Sequence, residues 1–295
     1  MKNWVFILIF CTPLSYALAK NIVLTIDDFP MGDGPLYSLE ERTDLYLKAL
    51  EKQDCSAVFF CIGSHCKEEI SLSCLSKLSD KGHEIANHSM NHWHLSSITL
   101  KDFEKEIKET ENLLKPYSTF KKWFRYPFLD YGNQFLLGGS TRKTVQGFEL
   151  LKHLQYKDAY VTINTFDWHL NERLKKSIAQ GRQVNYDKLK EVYLSLINDW
   201  TDFYLELFDT HLKKEFTHTF LLHANDLNAL YLEDILVLLK AKGLNFVKGE
   251  EAFEKNELSK LVSPSQRTQL MSKKPKTLDI KAIDEILEKG NVFTR

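Results

Sequence analysis

The chain has 295 residues, 43% of them hydrophobic, which suits one large globular domain or two small ones. A formal net charge of -1 leaves no broad basic surface, so composition argues against nucleic acid or anionic lipid as a partner. Mixed-sign runs such as "KDFEKEIKET" read as solvated helix faces.

The N-terminus, "MKNWVFILIFCTPLSYALAK", places Lys2 before an apolar run from Trp4 to Cys11 and a small-residue site at Ala17-Leu18-Ala19. This order predicts a secretory signal peptide, residues 1–19, cut after Ala19. A membrane anchor needs roughly 20 apolar residues, and Thr12, Pro13 and Ser15 interrupt this run. Bulky Phe10 before Cys11 speaks against lipoprotein processing. No later segment is apolar enough for stable membrane insertion, so the mature protein is expected to be exported, periplasmic or secreted.

Short β-rich runs then alternate with helical patterns. "IVLTI" (22–26) precedes an amphipathic stretch from Leu39 to Glu51, and "AVFFCIG" precedes another near Ile70–Lys81. "HEIAN" leads to Leu100–Leu114, "WFRYPF" to Thr144–Leu154, and "AYVTI" (159–163) to a long helix carrying Leu189, Tyr193, Ile197 and Trp200. "HTFLLH" leads to Leu227–Lys242, and "LNFV" closes the series. Strand-then-helix repetition predicts a parallel sheet covered by helices, and about seven repeats favour an α/β barrel, closed or nearly so. From Leu258 the pattern is lost, with a last helix near Leu278–Lys289 expected to pack outside or fray. Four cysteines follow the signal segment. Cys55 and Cys61 flank one strand and at about 3.3 Å per residue would lie roughly 20 Å apart, too far for a disulfide. Cys66 with Cys74 would need a break in the intervening helix, so buried thiols are expected.

Polar residues follow the apolar runs directly: Asp27 and Asp28 after the first, His88 after "HEIAN", Asp167 after "AYVTINTF", and His223 at the end of "HTFLLH". Carboxyl ends of parallel barrel strands open on one face, so these side chains are expected on a common rim. Within "ANHSMNHWH", His88 and His92 are four residues apart, a spacing that on a helical turn presents both imidazoles to one metal, with His94 close behind.

Taken together, these residues resemble the polysaccharide deacetylases of the NodB-homology type, carbohydrate esterase family 4, across Ile22 to Val247. The family's TFDDG motif matches "TIDDF" at Thr25–Phe29, and its H(S/T)xxH motif matches "HSMNH" at His88–His92. RxPY matches "RYPF" at Arg125–Phe128, DxxDW matches "NTFDW" at Asn164–Trp168, and LxH matches "LLH" at Leu221–His223. The resemblance implies a single catalytic domain, a distorted (β/α) barrel of about seven parallel strands over residues 20–257, with 258–295 as a polar extension ending in a helix.

The resemblance also implies roles. Asp28, His88 and His92 would hold a divalent metal, zinc foremost, with cobalt, nickel and manganese tolerated by such a site. Asp27 would be the general base, His223 the acid for the leaving amine, and the Phe128 N–H an oxyanion donor. Arg125, paired with Asp167, would hold Asp27 in place, while Trp168 and Leu221 would line the acetyl pocket; His94 would stay outside the ligand set. The implied partner is an N-acetylated glycan: peptidoglycan, a chitin-like oligomer or poly-N-acetylglucosamine. Three residues depart from the motifs. Phe29 replaces a glycine, with "MGDGP" downstream expected to supply the lost backbone freedom; Phe128 replaces a tyrosine and Asn164 an aspartate. None of the three is a proposed ligand side chain, base or acid. Alternatives are an O-acetyl esterase of xylan type, a deformylase for a lipid-linked sugar, and a carbohydrate-binding relative that keeps the metal without turnover. Retention of Asp27 and His223 argues against the last.

Overall fold

The computed structural model of the chain describes residues 20–212, 214–255 and 258–294. The expected signal peptide, residues 1–19, lies outside the described residues. The first half comprises β1 (Lys20–Phe29), α1 (Leu39–Lys52), β2 (Ala57–Cys61), α2 (Glu69–Asp80), β3 (Glu84–Asn87), α3 (Leu100–Leu114), β4 (Phe120–Phe124) and α4 (Thr141–His153). The second comprises β5 (Lys157–Asp158), α5 (Asp167–Ala179), β6 (Gln183–Val184), α6 (Tyr186–His211), β7 (His218–His223), α7 (Asp226–Ala241) and β8 (Leu244–Phe246). The last part holds α8 (Pro264–Met271), α9 (Ile280–Lys289) and β9 (Phe293–Thr294).

The seven-stranded sheet runs β5-β4-β3-β2-β1-β7, with β8 alongside the start of β1. Every pairing in it is parallel. Helices cover the sheet, so its central strands β2 and β3 are continuously buried rather than alternating, with all of Ala57–Cys61 and Glu84–Asn87 buried. Local signals fix the helix starts. Before α1, Ser38 accepts from the Glu41 N–H at 3.3 Å and the Ser38 N–H donates back to the Glu41 carboxylate at 2.9 Å.

The sheet curls until one segment touches both edges. Ala159 N–H donates to Phe124 O beside β4, and Ile163 N–H donates to Thr219 O in β7, each at 2.9 Å. Ala159–Ile163, expected as a strand, is therefore a strap between two edges, with a single bridge at Ile163–Phe220. Its threonines explain this: the Thr219 N–H donates to the Thr162 hydroxyl at 2.9 Å and the Thr219 hydroxyl donates to Tyr160 O at 2.8 Å. Side chains thus take hydrogen bonds that a regular ladder would make.

The C-terminal segment is packed in. Leu278, Ile283, Leu287 and Val292 are buried in the main core, and β9 pairs antiparallel with β6. Helix α8 escapes the sequence pattern because Arg267, on its buried side, is charged; it ion-pairs with Asp158, its guanidinium 4.7 Å from the Tyr131 ring. Cys55, Cys61, Cys66 and Cys74 are buried free thiols. No described helix is long and apolar enough to cross a membrane.

Candidate active site

Parallel strand ends gather the polar residues on one rim. Asp27 is in register with His223 across β1 and β7, His88 follows β3, and Arg125 follows β4. Asp27 and Asp28 are neighbours that face different partners because the register of β1 shifts between Ile26 and Phe29 and Asp28 takes φ 64°. Phe29 instead packs in the core, 5.3 Å from the Phe59 ring. The backbone irregularity therefore sits on Asp28, and neither Gly32 nor Gly34 of "MGDGP" adopts a positive φ. Gly34 is needed for closeness: a Cβ there would lie 2.2 Å from Asp226 Oδ2.

His88 and His92 converge without a helix. Residues 88–94 form a loop in which Ser89 (φ 64°) and His92 (φ 55°) are left-handed, correcting the helical-turn expectation. Hydrogen bonds hold these costly conformations. The Ser89 N–H donates to Asn87 Oδ1 at 2.9 Å and the His92 N–H donates to Ser89 Oγ at 3.0 Å. Buried Glu106, on α3, accepts from both Asn91 N–H and Asn91 Nδ2 at 2.6 Å. Sequence patterning assigns Glu106 to a mixed-charge surface run and so misses this clamp.

Asp28 Oδ1 lies 3.3 Å from His88 Nε2 and 3.2 Å from His92 Nε2, yet is buried with no hydrogen-bond partner. The three ligand atoms lie within 4.8 Å of one another. The edge of a tetrahedron with metal–ligand bonds of ~2.0 Å is about 3.3 Å, so the two distances from Asp28 to the histidines suit a zinc-sized ion. His88 Nδ1–H donates to the Arg125 carbonyl at 2.8 Å, which fixes the tautomer with the Nε2 lone pair facing Asp28. Burial would raise the Asp28 pKa, but His88 and His92 outweigh it and hold the carboxyl well below its ordinary value. Burial lowers His92, favouring the neutral imidazole. An ionised carboxylate and neutral imidazoles are the forms that ligate. Asp28, His88 and His92 thus form a group of donors that could hold a divalent cation.

Arg125, fully buried, does not pair with Asp167. Its Nη1 donates to Asp27 Oδ2 at 3.1 Å, its Nε to Ala159 O at 2.6 Å, and its Nη2 to Thr25 Oγ1 at 3.3 Å. It therefore braces Asp27 directly, leaving Asp27 Oδ2 3.8 Å from His88 Nε2. Asp167 has other work at the start of α5. It accepts from the His223 N–H and His223 Nδ1, both at 2.8 Å, and from Asn225 Nδ2 at 3.0 Å. Burial alone would lower the His223 pKa; Asp167 overrides this and pushes it up to about 10. With Nδ1 committed to Asp167, Nε2 remains for the cleft.

These groups open into a cleft of about 440 Å³. Asp27, Asp28, His88, His92, His223, Phe128, Trp168 and Leu221 line it as expected. Phe128 is left-handed (φ 57°), 57% exposed and stacked 3.9 Å from the His94 ring. His94 faces Asp130 at 3.3 Å and stays outside the ligand triad. Asn164 lines the cleft too, as do Tyr126, Leu129, Phe166 and Lys274, which motif reading misses. Tyr126 and Phe166 fill unspecified positions inside matched motifs and Leu129 follows one; Lys274 lies among other lysines in "SKKPKT", where nothing local marks it.

The class defined by fold and site is a parallel α/β half-barrel with an Asp-His-His triad on its carboxyl-end rim. The family model "Polysaccharide deacetylase" matches residues 16–143, and the chain is related to that family. It is 31% identical over 103 residues to a chitooligosaccharide deacetylase of Sinorhizobium fredii, covering 35% of this chain and 43% of the relative. It is also 31% identical over 110 residues to a peptidoglycan-N-acetylglucosamine deacetylase of Bacillus cereus, covering 37% and 44%. The matches thus span less than half the length of these relatives. Among solved structures, a mutant of a CE4 family pseudoenzyme from Bacillus anthracis aligns with TM-score 0.56 at 19% identity, over 80% of this chain and 68% of the other. That likeness is one of fold.

Proposed function

We propose that the chain is a metal-dependent hydrolase that removes N-acetyl groups from an exported or cell-wall amino-sugar polysaccharide. The observation that carries this reading is the buried, unpartnered Asp28 Oδ1 between two histidine nitrogens, flanked by Asp27 and His223 in one cleft. Asp28, His88 and His92 would hold the cation, zinc foremost. Bound there, it would polarise the scissile carbonyl and acidify a water. Asp27, oriented by Arg125, takes the proton of the attacking water. The Phe128 N–H, presented by a left-handed turn at the rim, donates to the developing oxyanion. His223, kept protonated by Asp167, gives its proton to the amine, which leaves poorly as an anion. Trp168 and Leu221 pack the acetyl methyl group. The arrangement of residues 1–19 supports export to the periplasm or beyond, where such polymers lie.

Two variants test the assignment. Asp27→Asn removes the base without touching a ligand atom, so it should keep stoichiometric metal while acetate release falls about a thousandfold. His88→Ala should lose both. Equal metal loss in the two variants would contradict the role given to Asp27.

A further inference from the structure

One wall of the cleft has no part in that chemistry. Lys274, between α8 and α9, lines the same cleft as Asp28, His92 and His223. Its ammonium lies 5.4 Å from the Phe166 ring centroid, and that ring lies 5.4 Å from Trp168. Among the described residues no carboxylate pairs with it. The other cations of the site are committed: Arg125 to Asp27, and His223 to Asp167.

The segment that delivers Lys274 is held on both sides. Upstream, buried Arg267 ion-pairs with Asp158 and lies over Tyr131 and Phe148. Downstream, Leu278 is buried, and Asp284 of α9 is 2.9 Å from His169 Nε2 and 3.2 Å from Arg173 Nε on α5. The extension therefore holds an uncompensated positive charge beside the Phe166 ring. That ring can pack on a sugar, while the ammonium attracts an anion carried by that sugar or its neighbour.

We propose that Lys274 is a specificity-determining residue that selects N-acetylated glycans bearing a carboxylate. This rests on the deacetylase reading for the identity of the cleft, and it adds which glycans the cleft prefers. The test is calorimetric binding of the full mature chain, free of metal, to an N-acetylmuramic-acid-containing saccharide. The ligand is compared with its carboxylate free and with the same carboxylate as a methyl amide. Wild type should bind the free acid about fivefold more tightly than the amide, the size of a partly exposed ion pair in a cleft. Lys274→Ala should bring that ratio close to one, Lys274→Glu should invert it, and Lys274→Arg should keep it. A ratio unchanged by the alanine and glutamate variants, or equal affinities in wild type, overturns the proposal. Acetate release is read separately. Equal affinities in wild type with acetate release intact overturn only the role of Lys274, whereas a charge preference in wild type without release from any glycan overturns only the deacetylase reading.

Discussion

Asp27 and Asp28 divide two tasks between adjacent residues. Successive side chains of a regular strand point to opposite faces, and the irregular end of β1 adds a left-handed turn at Asp28. One carboxylate thereby meets Arg125 and the other meets the two histidines. His223 shows how a neighbour sets a proton. Its ordinary value of 6.5 is pushed up to about 10, with Asp167 outweighing the effect of burial. A group raised in the folded state contributes stability that is complete below about pH 6.5 and is lost as pH rises toward 10. In the proposed mechanism this proton goes to the leaving amine, so the alkaline limb of kcat should report it. A cation at Asp28 offsets the share that Asp28 contributes, placing the limb of the loaded enzyme below 10. Asp167→Asn should move that limb toward acid by a unit or more, because the charge partner is gone. A pH profile with the same limb in wild type and variant would dissociate His223 from the proton transfer.

Elements carry the site because their ends are pinned. The loop between β1 and α1 is tied to the start of α7: Arg42 Nη1 donates to Asp226 Oδ1 and Leu36 N–H donates to Asp226 Oδ2, both at 2.9 Å. Arg42 and Asp226 are both buried, so Asp226 cannot swing aside for a new Cβ at Gly34. Gly34→Ala should therefore cost about 1–3 kcal/mol, as overpacking does, read as a lower urea midpoint at unchanged slope. An unchanged midpoint would show that the loop gives way freely. Periodicity makes most elements legible: the helices expected at Leu39–Glu51 and Leu100–Leu114 occur at Leu39–Lys52 and Leu100–Leu114. Ala159–Ile163 was not legible as a strap, because its threonine hydroxyls replace ladder hydrogen bonds. The histidine loop was not legible either, since Ser89 and His92 adopt conformations that residue type disfavours.

Over the whole molecule, the C-terminal segment is part of the structure that frames the cleft. Arg267→Ala would leave Asp158, whose side chain is 10% exposed, without its charge partner, a loss of about 3 kcal/mol, measured by denaturant unfolding. A change below about 1 kcal/mol would mean the segment is only lightly held. Asp27, Asp28, His88 and His223 were legible on one rim because each ends or follows an apolar strand run, whereas the roles proposed for them, and the inclusion of His92, came from the resemblance. Arg125's choice of Asp27 over Asp167, and the arrival of Lys274 in the cleft, were not, because both depend on distant segments meeting in space. Acetate release by the mature protein from N-acetylglucosamine oligomers, peptidoglycan and acetylated xylan tests the proposed activity most directly. Release should vanish after chelation, return with zinc or cobalt, and be confined to N-acetylated glycans. Stoichiometric metal at the triad with no release from any of these glycans would contradict it.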